Sequence, residues 1–199
     1  MTRILLARHG QSEWNATGRW QGWADPELSP LGREQSRQAV TAIGRVDAVV
    51  ASDLRRALDT AAILAEGLGV GPVTVEPLLR ERDVGDWTGL TRAQIEQRWP
   101  GALSGPMPDP PGGEGWARVT ARMKAAVEGL AAAHPDEDVL AVTHGGVIRG
   151  LERHLGLEPE PLPNLGGVWV DVVGGRITAG ERLLLVDPER VAVTVPRQL

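Results

Sequence analysis

The run Leu5-Leu6-Ala7-Arg8-His9-Gly10-Gln11-Ser12-Glu13-Trp14-Asn15 begins apolar and turns at once into Arg-His-Gly and a polar segment. Ile4 to Ala7 read as a short buried strand. The arginine and the imidazole therefore stand at its carboxyl end, where open α/β sheets bind ligands. Arginine offers a planar fork that matches phosphate or carboxylate, and Gly10 lets backbone N–H groups come close to an anion. The stretch reads as a phosphate pocket with His9 placed to attack phosphorus. An isolated Arg-His-Gly is better read as a strand end with a surface arginine, so the rest of the chain has to decide.

Working outward, the chain of 199 residues is long enough for one compact domain with a full core. It contains no Cys, which leaves neither a disulfide framework nor thiolate chemistry and fits a cytoplasmic setting. Only Met1-Thr2-Arg3 precede the first apolar run, so no signal peptide is expected, and no apolar stretch is long enough to span a bilayer. The net charge of -5 argues against a general nucleic-acid binder, so any anion site must be local. Lys124 is the single lysine beside 20 arginines. Such a bias makes arginine abundance uninformative, and position has to carry the argument.

Gly18 to Pro26 form a Gly- and Trp-rich irregular segment. Ser29-Pro30 start a helix that ends near Gly44. Val46 to Ala51 read as a second buried strand, and Ser52-Asp53 are expected to cap a helix running to about Gly67. Arg55 and Arg56 then fall in its first turn, where cations are unfavourable unless an anion is near. Arg55, following a strand end as Arg8 does, is the expected pocket residue, and Arg56 is expected at the surface. Val73 to Glu76 suggest an edge strand. The charged loop from Leu78 to Gly89 carries Glu81, Asp83 and Asp86, any of which could act as a general acid. Thr91 to Arg98 read as a short helix, residues 100–115 as a lid-like loop, and Glu114 to His134 as a long helix. Val139 to Val142 make a third buried strand, followed by Thr143-His144-Gly145-Gly146 and a helix to about Leu155. Val168 to Val173 and Leu183 to Val186 read as two terminal strands joined at Gly174-Gly175, with a last strand or surface segment from Val191. His134 and His154 read as helix-end residues. Trp14, Trp20, Trp23, Trp87, Trp99 and Trp116 flank the proposed site, with core packing the default role.

Three strands thus deliver cationic or imidazole groups at their carboxyl ends: Arg8 with His9, Arg55, and His144. In a mostly parallel sheet these groups meet over one volume, as phosphoryl transfer requires. Cations beside His9 favour its neutral, nucleophilic form.

These stretches resemble the histidine phosphatase superfamily, which includes the phosphoglycerate mutases. The resemblance rests on Arg8 to Asn15, Ser52 to Ala61, Leu79-Arg80-Glu81 with Gly85 to Gly89, and Thr143 to Gly146, in the family's order from residue 3 to about 150. It implies a three-layer α/β/α sandwich around a mostly parallel sheet, with 1–199 a single domain and a lid-like insertion at about 90–115. It also implies that His9 is the phosphorylated nucleophile, that Arg8, Arg55 and His144 hold the phosphoryl oxygens, and that Glu81 is the proton donor. Asn15, Gln21, Gly22 and Gly145 are implied as substrate contacts, with no cofactor and no metal. His-Gly-Gly in place of the mutases' His-Gly-Asn, and Gly85-Asp86-Trp87-Thr88-Gly89, look like the phosphatase branch, including sugar-phosphate and glucosyl-phosphoglycerate phosphatases. The expected partner is a small phosphomonoester, with no nucleic acid and no membrane; a dimer is compatible with the sequence. The rival expectations are a phosphoglycerate mutase and a non-catalytic phospholigand-binding protein.

Overall fold

The structure is a computed structural model describing residues 1–105 and 107–195. Residue 106, within the expected lid, and residues 196–199, within the segment expected from Val191 onward, lie outside the described residues. The strands are β1 (Thr2–Arg8), β2 (Ala48–Ala51), β3 (Thr74–Val75), β4 (Asp138–Thr143), β5 (Gly166–Val173) and β6 (Arg176–Leu184). They form one mixed sheet in the order β3-β2-β4-β1-β5-β6. β3, β2, β4 and β1 pair in parallel, whereas β5 runs against β1 and β6 against β5.

Alternation along the strands decides the layers, because successive side chains point to opposite faces. Ile4, Leu6, Val139 and Ala141 pack against helices α5 (Trp116–Ala133) and α6 (Gly145–His154). Leu5, Ala7, Leu140 and Val142 pack against α2 (Pro30–Ile43) and α3 (Arg55–Leu68). Both faces being covered explains why these strands read as continuous apolar runs, and the result is an α/β/α sandwich. Two short helices, α1 (Glu13–Ala16) and α4 (Arg92–Arg98), lie outside these layers. A third apolar cluster, formed by Trp20, Val84, Trp87, Ile95 and Leu103, ties the irregular segments together.

Register brings the site together. Arg8 stands opposite Thr143, and Ala51 opposite Val142, so three parallel strands finish level. The next residues continue the pairing: the His9 N–H donates to the Thr143 carbonyl at 3.0 Å and the Ser52 N–H to the Val142 carbonyl at 2.9 Å.

Two local expectations are corrected. Ser52-Asp53 do not cap α3. Its N-cap is Leu54, with no side-chain capping bond, because Ser52 Oγ lies 2.9 Å from His144 Nε2 and Asp53 accepts from Arg80 at 2.7 and 2.5 Å. The last strand occupies Arg176–Leu184 rather than Leu183 to Val186. This strand is at the sheet edge and half exposed, so polar residues serve it, while Leu185 and Val186 are buried core residues just beyond it.

Candidate active site

His9 sits at the end of β1, 2% exposed. Its Nδ1 lies 2.6 Å from the Gly10 carbonyl oxygen. A carbonyl can only accept, so Nδ1 carries the proton and Nε2 the lone pair. Arg56 Nε donates toward that lone pair at 3.3 Å. Burial, then the charges of Arg56 and Arg8, hold the His9 pKa well below 6.5. The imidazole is therefore neutral with its lone pair on Nε2, as nucleophilic attack demands.

Two guanidinium groups flank it. Arg8 is buried, donating through Nη1 to the Leu162 carbonyl at 2.6 Å, and burial pushes its pKa down to about 10, still a cation at neutral pH. The second is Arg56 rather than the expected Arg55. Arg56 is fully buried, with Nη1 donating to the Ala24 carbonyl at 2.8 Å and Nη2 to the Gly22 carbonyl at 2.9 Å. Arg55 instead has a side chain 53% exposed and is ion-paired with Glu27 at 2.8 Å. The reason is helical phase. Residues four apart share a helix face, and the face of α3 turned inward carries Arg56, Ala57, Thr60, Ala61 and Leu64. Thr60 reinforces the placement by accepting from the Gly10 N–H at 3.0 Å. Arg55 shares its face with Asp59, which pairs with Arg33.

His144 begins α6 as its N-cap and is completely buried, its ring edge-on to His9 with centroids 5.1 Å apart. Burial and the nearby Arg56 hold it neutral, its pKa well below 6.5. It is thus not a cation. Ser52 Oγ, which accepts from the Leu54 N–H at 3.4 Å, lies 2.9 Å from His144 Nε2, and the other ring nitrogen is Nδ1. That buried Nδ1 has no hydrogen-bond partner.

Glu81 lines the same pocket. Its Oε1 accepts from the Arg82 N–H at 2.8 Å and its Oε2 from the Gly146 N–H at 3.1 Å. A Cβ at position 146 would stand 2.5 Å from Glu81 Oε1, so the glycine makes room for the carboxylate. Asp83 serves the turn, accepting from the Gly85 N–H at 2.9 Å, and Asp86 is exposed. The backbone carrying Glu81 is clamped by Arg122, which donates to the carbonyls of Leu78, Arg80 and Glu81 at 2.8, 2.6 and 2.9 Å. Glu114 holds Arg122 in turn through two bonds, at 2.8 and 2.9 Å.

The remaining expected contacts line the same pocket. Asn15 Oδ1 accepts from the Ser12 N–H at 3.1 Å in a capping box, which leaves the Nδ2 amide without a partner among the described residues. Gln21 Oε1 accepts from Ser12 Oγ at 2.7 Å. Gly22 has φ of +50°, and a Cβ there would stand 2.7 Å from Val84 Cγ2. Gly145 lets Arg8 lie close, since a Cβ would stand 3.1 Å from its Cδ. Among the described residues no three His, Cys, Asp or Glu side chains group as metal ligands, and no helix is long and apolar enough to cross a membrane.

The model of the histidine phosphatase superfamily (branch 1) matches residues 4–172. The chain belongs to this superfamily. It is 40% identical over 190 residues to a glucosyl-3-phosphoglycerate phosphatase of Mycolicibacterium vanbaalenii, covering 86% of this chain and 84% of the relative. It is also 38% identical over 188 residues to a 2,3-bisphosphoglycerate-dependent phosphoglycerate mutase of a Methylobacterium species, covering 86% and 89%. A solved mycobacterial glucosyl-3-phosphoglycerate phosphatase in complex with VO3 superposes with a TM-score of 0.81 at 35% identity, covering 90% of this chain and 97% of the other.

For this histidine phosphatase, sequence reasoning passed over Arg56, Arg82 and Arg149, all of which line the pocket. Arg56 was discoverable from the small-residue stripe Ala57, Thr60, Ala61. Arg82 and Arg149 carried no local signal: Arg82 reaches the site by stacking its guanidinium 4.4 Å over Trp116, and Arg149 lies one turn into α6.

Proposed function

We propose that the protein is a phosphomonoester hydrolase that works through a phosphohistidine on His9, acting on a small phosphorylated sugar or phosphoglycerate-type metabolite in the cytoplasm. The observation that carries this reading is the His9 tautomer: a neutral imidazole lining the pocket with its lone pair on Nε2, met there by Arg56 Nε at 3.3 Å and flanked by two buried guanidinium groups. Nε2 attacks phosphorus, the N–P bond forms, and the P–O ester bond breaks with its electron pair going to the departing oxygen. Glu81 in its acid form gives that oxygen a proton. Water then attacks phosphorus as Glu81 takes its proton, the N–P electron pair returns to Nε2, and inorganic phosphate leaves. Arg8, Arg56 and His144, whose Nδ1 has no partner among the described residues, are the groups that hold the phosphoryl oxygens, fixed before the charge develops.

In this proposal 1–199 are one catalytic domain, with a lid-like insertion at about 90–115. This fits Pro108 lining the site and Arg82 donating to the Pro108 carbonyl at 2.7 Å and pairing with Asp109.

A mutase is the second reading, favoured by the relative of that name. Against it stands Gly146, where the mutases of the resemblance carry Asn. Incubation with 3-phosphoglycerate decides: free inorganic phosphate is expected, and the 2-phospho isomer without phosphate release would overturn the reading. Alkaline quenching of a brief reaction with labelled substrate should trap label on the protein, lost in His9→Ala.

A further inference from the structure

Residues 80–84, which carry Glu81, belong to no helix or strand, so their backbone groups take partners from elsewhere. One side chain reaches along this loop. All five N–H groups of the Arg122 guanidinium are occupied: Nη1 donates to the carbonyls of Leu78 and Arg80 at 2.8 and 2.6 Å, Nη2 to the Glu81 carbonyl and to Glu114 Oε2, both at 2.9 Å, and Nε to Glu114 Oε1 at 2.8 Å. The Glu81 carbonyl accepts a second bond, from Trp23 Nε1 at 2.7 Å, so both of its lone pairs are engaged.

Glu114 completes the arrangement with its side chain and its main chain. Its two carboxylate oxygens fix the plane of the Arg122 fork, while its N–H donates to the Asp83 carbonyl at 2.9 Å and its carbonyl accepts from Arg82 Nε. The two side chains are only 7% and 13% exposed, Glu114 first, and neither residue lines the pocket. A buried ion pair stabilises a fold no better than well-packed apolar residues of the same volume. The place of this pair is therefore explained by what it holds, which is the main chain on both sides of the Glu81 side chain.

We propose that Arg122 and Glu114 are the positioning residues of the proton donor: the guanidinium fixes the Glu81 main chain where its carboxylate meets the departing oxygen, and Glu114 fixes the guanidinium. This rests on the phosphatase reading of the pocket. Lysine cannot take over from Arg122, because an ammonium has three donors on one point and no planar fork to bridge three carbonyls and a carboxylate.

The test follows phosphoenzyme formation by rapid quench, from an alkyl phosphate and from p-nitrophenyl phosphate, whose anion departs without a proton. Arg122→Lys should slow the reaction of the alkyl ester by about tenfold to a hundredfold, the scale of a misplacement of roughly 1 Å, and that of p-nitrophenyl phosphate far less. In the Glu81→Gln background no acid remains to be positioned, so Arg122→Lys should add no further loss there. No loss on the alkyl ester, equal losses on both esters, or a full further loss in the Glu81→Gln background would leave the pair a merely structural element and overturn the proposal. If Arg122→Lys does not fold, Glu114→Gln, which keeps the volume and one acceptor, carries the same comparison, and an equal effect on both esters or none counts against the proposal. A parent protein that forms no phosphoenzyme from either ester would remove the hydrolase reading and the proton donor with it. A parent that reacts with both esters, beside variants without leaving-group dependence, would remove this proposal alone.

Discussion

At the scale of single residues, the site depends on which of two adjacent arginines faces inward. Arg56 contacts His9 and Arg55 contacts Glu27. Arg56→Ala should therefore slow phosphoenzyme formation by about 10²–10³-fold, the typical cost of one electrostatic donor to a developing charge. Arg55→Ala should stay within about twofold, because an exposed ion pair contributes little. Rapid-quench trapping of the phosphoenzyme measures both, and the opposite ranking would overturn the placement. Glu81 calls for a different readout. An acid matters most for a poor leaving group, so Glu81→Gln should cut phosphoenzyme formation from an alkyl phosphate by about 10²–10³-fold while changing that from p-nitrophenyl phosphate far less. Equal losses on both esters would remove Glu81 from the proton-donor role.

At the scale of elements, α6 serves as a platform whose first residues are small because two charged side chains press against them. Gly145 accommodates Arg8, and Gly146 accommodates the Glu81 carboxylate. Ala is the better helix former by roughly 0.5–1 kcal/mol, and the obstructing atoms are the end of a flexible side chain. Gly146→Ala should therefore leave Tm unchanged or slightly raised. Its activity should fall, with the same leaving-group dependence as Glu81→Gln, since the carboxylate must move away. A variant that is destabilised but retains full activity per folded molecule would contradict this account. The 78–82 loop is held from α5, where Arg122 binds three of its carbonyls and is itself fixed by Glu114. The acid is thus positioned by a helix on the same face of the sheet as α6.

At the scale of the whole molecule, two fully enclosed histidines are kept neutral by burial and by surrounding arginines. An unfolded chain binds a proton on each near pH 6.5, whereas the folded chain binds none until a lower pH. The unfolded state thus holds more protons across that window, and stability rises with pH through it. Stability should accordingly fall as pH drops below about 6.5, by at most about 1.4 kcal/mol per pH unit for each histidine. Urea unfolding between pH 7.5 and 5 measures the slope, which should be shallower in His9→Gln. A flat profile in the parent protein would contradict the neutral burial of both rings.

Much of this was legible in the chain itself. The apolar runs ending in Arg8-His9-Gly10 and Thr143-His144-Gly145 determined that two buried strands would deliver two imidazoles to one edge of a sheet. Ser29-Pro30 and Thr91 marked helix starts at which both side chains do cap, accepting from Gly32 and Gln94. The continuous apolar character of these runs fits a sheet covered on both faces. Only tertiary structure decided the rest, because each remaining choice was one of direction rather than composition. Ser52 left its helix for His144, and β6 formed from a mixed run in which Ile177, Ala179 and Leu183 pack against the core, because an edge strand is held by pairing with β5 and needs no continuous apolar run. Arg56 displaced Arg55 because the rotation of α3 about its axis is set by packing against the sheet, and one position along a helix turns a side chain by about 100°. Arg149 came into the pocket from a helix interior where nothing adjacent in sequence marks it. Such a residue is brought to the site by how α6 lies against β1 and the 78–82 loop, through contacts distant in sequence that no local pattern encodes.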